Sequence, residues 1–97
     1  MLEYDFSNQV DKFLKKCDSF VKKRIFKKID DLLVNSTPSD MKILNTKFGN
    51  LSRVRVGEYR ILYRVDVEKS HLVILFIEKR NKVYGYVKEE SEKEYGM

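Results

Sequence analysis

Ninety-seven residues make one domain, 1–97, with room for a single hydrophobic core. The chain is 42% hydrophobic and 36% charged, which excludes a disordered polymer, and its longest apolar run, Leu72 to Ile77, is six residues, too short for a membrane span. The net charge of +5 is uneven: residues 1–41 hold eight Lys/Arg against seven Asp/Glu, residues 42–84 hold ten against four, and residues 85–97 hold two against four. Positive charge concentrated in one segment of a small domain favours an anionic polymer as partner.

The N-terminus carries Glu3 and Asp5 and no basic segment followed by an apolar one, so no signal peptide is expected. Leu2 to Phe6 alternates apolar and polar residues and predicts a short strand. Ser7 follows as a helix N-cap, and Val10, Phe13, Leu14 and Cys17 share one helix face at i, i+3, i+4, i+7. Cys17 reads as a small buried hydrophobe. As the only cysteine it forms no internal disulfide, which fits a reducing cytoplasm. One His and one Cys far apart give no ligand set for a metal, and no cofactor is expected.

Asp18-Ser19 offers a fresh cap, after which Val21, Ile25, Ile29, Leu32 and Leu33 carry a second helix to about Asn35. Ser36-Thr37-Pro38-Ser39 ends it. The cations Lys22, Lys23, Arg24, Lys27 and Lys28 lie opposite the apolar stripe and read as a solvated face.

From Met41 the pattern becomes strands. Lys42 to Leu44 predicts a short edge strand, followed by a loop containing Gly49 and Asn50; Leu51 to Val56 and Tyr59 to Val65 alternate strictly. Gly57-Glu58 between them, with glycine first, predicts a type II′ hairpin turn. That turn sets Val56 opposite Tyr59, Arg55 opposite Arg60, Val54 opposite Ile61 and Arg53 opposite Leu62. Val54, Val56, Tyr59, Ile61 and Tyr63 then face the helices, while the other face carries Arg53, Arg55, Arg60 and Arg64 around Leu62. Like charges directly opposite one another destabilise a sheet by up to about 1 kcal/mol. Such a conflict is the kind found at functional sites.

Asp66 to His71 is a polar turn, and Leu72 to Ile77 suits a strand buried on both faces. Arg80 follows its end, where it can curl toward the arginine face. Val83 to Val87 reads as a last strand or extended segment, and Lys88 onward as a polar tail. His71 begins a strand after a turn, a poor place for a general base.

Two segments, RVRVGEYRILYRV at 53–65 and EKRNKVY at 78–84, resemble the RelE branch of the RelE/ParE superfamily, toxins of type II toxin–antitoxin systems. The resemblance covers nearly the whole chain. It implies an α+β fold: an N-terminal strand and a two-helix hairpin packed on a small antiparallel sheet, with a short C-terminal segment. It implies a ribosome-dependent endoribonuclease that cuts mRNA in the A site without a metal and so inhibits translation in the cytoplasm. The implied catalytic residues are Arg55, Arg60, Arg80 and Tyr84, with Arg53, Arg64, Lys79 and Lys82 binding RNA. The implied partners are a RelB-like antitoxin, in a heteromeric complex, and the ribosome with its mRNA; no membrane is involved.

Arg at 53 and 55 stands where some relatives carry Lys, and arginine stays protonated, so the general base lies elsewhere. Glu78 can neutralise an arginine or act as a base. A ParE-like toxin that inhibits DNA gyrase by protein contact, or a ribosome-binding domain without catalysis, stays open as an alternative.

Overall fold

The computed structural model describes residues 2–83 and residue 85. The chain order is β1 (Glu3–Phe6), α1 (Asn8–Lys16), α2 (Ser19–Val34), β2 (Lys42–Thr46), β3 (Gly49–Val56), β4 (Tyr59–Asp66), β5 (His71–Lys79) and a short turn of helix, α3 (Arg80–Val83). The strands form one sheet in the order β1-β5-β4-β3-β2. This is the expected α+β architecture with one difference. Its sheet is mixed, because β1 joins β5 in parallel while the other three pairings are antiparallel. The two helices between β1 and β2 carry the chain from one edge of the sheet to the other.

Local chemistry starts both helices where the sequence predicts. The Ser7 hydroxyl accepts from the Val10 amide at 3.3 Å, and an Asp18 carboxylate oxygen accepts from the Val21 amide at 2.9 Å. Beyond Phe6 the edge of β5 is covered by side chains rather than by a strand. Ser7 Oγ donates to the Leu75 carbonyl at 2.6 Å, and the Gln9 amide both donates to the Ile77 carbonyl at 3.0 Å and accepts from its N–H at 3.1 Å. An edge paired in this way offers no template to another chain.

The main core fills the space between the helices and the sheet. Val10, Leu14, Ile25, Ile29 and Leu32 meet Val54, Ile61, Tyr63, Leu72, Ile74 and Ile77. Tyr63 is buried, its hydroxyl donates to the Ser36 carbonyl at 2.6 Å, and burial pushes its pKa up to about 12.

The opposite face holds a second, smaller cluster of Leu44, Leu51, Leu62 and Val83, flanked by Leu75 and Phe76. A bulge between Leu62 and Tyr63 leaves Leu75 as the extra residue of β5. Two expectations change here. The face opposite the helices is not an open row of four cations, since its centre is apolar and Arg53 within it is 7% exposed. Val83 is not in a strand but in α3, where the Arg80 amide donates to the Glu58 carbonyl at 3.0 Å and turns the chain off the sheet. The rest of that expected segment, except Gly85, lies outside the described residues, as does the tail.

The predicted loop at Gly49-Asn50 is instead the start of β3, in a hairpin with β2. The buried Thr46 hydroxyl closes it, donating to the Gly49 carbonyl at 2.8 Å and accepting from the Phe48 amide at 3.0 Å.

Candidate functional site

The β3–β4 hairpin has the predicted register: Val56 opposite Tyr59, Arg55 opposite Arg60, Val54 opposite Ile61 and Arg53 opposite Leu62. Gly57 has φ +57° while Glu58 keeps a negative φ, the pattern of a type II′ turn. On its other side Arg60 stands opposite Glu78 of β5, so one row across three strands reads Arg55, Arg60, Glu78. A carboxylate beside a guanidinium lowers the repulsion within the row. Arg60 is turned back over the hairpin tip, its Nη1 donating to the carbonyls of Gly57 at 3.1 Å and Tyr59 at 3.0 Å.

The same tip anchors α3 through the Glu58 carbonyl, which brings Arg80 beside Arg60. Between the tip and the β5–α3 junction lies an open groove of about 540 Å³ lined by Gly57, Glu58, Arg60, Lys79, Arg80 and Asn81. It sets three cations against one carboxylate. Guanidinium and ammonium groups placed in this way can hold an oxyanion through charge-assisted hydrogen bonds.

The other proposed residues fall in different places. Arg55 is exposed but lines a second hollow on the far side of Gly57, against α2. Lys82 is exposed on α3. Arg53 is buried in the next row, between Lys42 and Leu62. Arg64 is exposed opposite Val73, four positions along β4 from Arg60, which is roughly 13 Å. Tyr84 lies outside the described residues.

His71 is at the opposite end of β5 from Lys79, roughly 25 Å away by strand rise. Its Nδ1 lies 2.5 Å from Asp5 and its Nε2 3.4 Å from Glu3, both on β1. The hydrogen bond to Asp5, with help from Glu3, raises the imidazole above its ordinary pKa. It takes no part in the groove. The residues that sequence reasoning set aside are Arg24, Lys27 and Lys28, which line the second hollow with Arg55. Their helical spacing was visible, but their approach to β3 is a tertiary fact.

Three solved structures share this fold. An archaeal RelE–RelB complex from Pyrococcus horikoshii is 25% identical over 84% of this chain and 97% of its own, with a TM-score of 0.70. The RelBE2 toxin–antitoxin complex from Mycobacterium tuberculosis is 25% identical over 81% of this chain and 98% of its own, with a TM-score of 0.69. The isolated Escherichia coli RelE toxin, at 22% identity, covers 88% and 93% with a TM-score of 0.70 and shows likeness of fold. Among curated proteins, none matches the sequence. A family model described as the ParE toxin of type II toxin–antitoxin systems, parDE, matches residues 4–84. The chain therefore belongs to the ParE toxin family of the RelE/ParE superfamily and is a toxin of a type II toxin–antitoxin system.

Proposed function

We propose that this toxin is a metal-independent endoribonuclease that cuts mRNA in the ribosomal A site, arrests translation in the cytoplasm, and is held inactive by a RelB-like antitoxin. The observation that carries the reading is the open groove where Arg60, Lys79 and Arg80 converge. It is supported by 25% identity to toxins solved as RelE–RelB and RelBE2 complexes, over nearly their whole length.

In the proposed reaction the RNA 2′-oxygen forms a bond to the adjacent phosphorus and the bond to the 5′-oxygen breaks. The 2′-hydroxyl proton leaves to a base and the 5′-oxygen gains one, giving a cyclic phosphate and a free 5′-hydroxyl. Negative charge builds on the phosphorane, and guanidinium groups already in place stabilise it without reorganisation. Arg60, fixed by two carbonyls, clamps the phosphate, and Arg55, its register partner, adds its charge from the far side of the turn; Arg80 donates to the leaving oxygen. Lys79, Lys82, Arg53 and Arg64 add to the field along the RNA, and Tyr84 stacks on the target base. Arginine does not serve as the base. Glu78, opposite Arg60, or a ribosomal group takes that role.

Primer extension on a translated message tests this. Wild type should yield discrete cuts, and Arg60→Ala or Arg80→Ala should slow them by about 100- to 1,000-fold while the protein stays folded. Full cleavage by both variants would remove the site from the proposal.

The match to a ParE family model favours a second reading, a gyrase inhibitor acting by protein contact. Intact transcripts together with inhibited supercoiling by purified gyrase would select it.

A further inference from the structure

We propose that the hollow between α2 and the β3–β4 turn is a second site for RNA backbone phosphate, so that an RNA strand crosses the turn at Gly57 with phosphate held on either side. This rests on the RNA-binding part of the reading above and not on cleavage.

Pairing of β2 with β3 stops at Lys42 and Arg53, so among the described residues no strand covers the edge of β3 at Arg55 and Val56. Helix α2 approaches that edge instead, and Arg24, Lys27 and Lys28, at i, i+3 and i+4, line a hollow of about 240 Å³ with Arg55. Four cations thus share one small concavity with a single carboxylate, Asp31. Lys28 is paired with Asp40 at 3.0 Å, while among the described residues Lys27 and Arg55 form no salt bridge.

The position of Arg24 is built in. Its guanidinium carbon lies 5.7 Å from the centre of the Phe20 ring, and its Nη1 lies 2.9 Å from where a Cβ on Gly57 would stand. A glycine there lets the guanidinium rest against the turn and lets a ligand backbone approach closely. Gly57 borders both hollows, so cations stand on either side of the turn, Arg24 in one hollow and Arg60 and Arg80 in the other. Like charges three and four apart on a helix repel, and a polyanion relieves that repulsion. An acidic protein segment fits less well, because among the described residues Val56 is the one apolar side chain lining the hollow and protein interfaces need an apolar centre.

The RNA is either the message strand or ribosomal RNA, and two probes separate them. Binding of the full chain to a short single-stranded RNA with 2′-O-methyl sugars, which cannot be cut, and to purified small ribosomal subunits is followed across a salt series. Wild type is compared with Arg24→Gln/Lys27→Gln and with an equal charge loss on α1, Lys12→Gln/Lys15→Gln. The α2 variant should lower the slope of log affinity against log salt by about 0.7 for each phosphate lost, and the α1 variant should not. Loss on the oligonucleotide assigns the message, and loss on the subunits alone assigns ribosomal RNA. The proposal is overturned if wild type binds neither probe, if the two variants lose equally, or if the α2 variant weakens only antitoxin binding. Intact message in primer extension with the α2-dependent slope retained would defeat the nuclease reading and leave this site standing.

Discussion

Gly57 holds a position that only glycine fills without strain. Its φ of +57° suits the first corner of a type II′ turn, and both basic hollows border it. Gly57→Ala adds two costs, the left-handed backbone and contact with Arg24. The second is small, because the contact is with the far end of a flexible side chain. The substitution should therefore destabilise the fold by about 1–3 kcal/mol. In an Arg24→Ala background it should cost the same within about 0.5 kcal/mol. Urea denaturation of the four proteins measures both; a much smaller cost without Arg24 would move the strain from backbone to side chain. The turn was readable because glycine precedes a polar residue between two alternating runs. The separation of Arg55 from Arg60 was not, because alternation assigns a face to a side chain but says nothing of which hollow it enters.

At the β1 edge, a strand of four residues is held by few bonds, and the charges around His71 fasten its start. Asp5 and Glu3 face the imidazole from β1, and Asp66 stands opposite it on β4. The folded pKa of His71 is raised above 6.5, first by the hydrogen bond to Asp5, so folding favours the protonated ring. The resulting stability is fully present below pH 6.5 and is lost as pH climbs through the folded value. His71→Asn should thus lose most against wild type under mildly acidic conditions, and the gap should close at alkaline pH. Denaturation midpoints of the pair across that range check it, and a gap independent of pH would show that the ion pairs add nothing. Caps and helix faces were readable here from Ser7, Asp18 and the apolar spacing. The parallel join was not, since nothing within Leu2 to Phe6 specifies a partner nearly 70 positions away.

Two apolar clusters on opposite sides of one sheet divide the labour of the domain; two buried faces are legible in the run Leu72 to Ile77, but not what covers the second of them. The larger holds the helices down. The smaller holds α3 through Val83, and α3 carries Arg80 into the groove. Counting cations on the second face hid this, because Leu62 lies opposite Arg53 there and packs in one cluster with Val83, some 20 residues later in sequence. Val54 and Val83 make a matched pair, both buried and losing the same atoms on truncation. Each Val→Ala change removes two methylene equivalents, about 1.6 kcal/mol of burial plus a cavity contribution. Both variants should therefore unfold at similarly reduced urea concentrations. Only Val83→Ala should also lower cleavage in the primer-extension assay beyond what its stability explains, because it frees the segment that positions Arg80. Equal cleavage by the two variants would mean that the smaller cluster contributes stability alone and that Arg80 finds the groove without it.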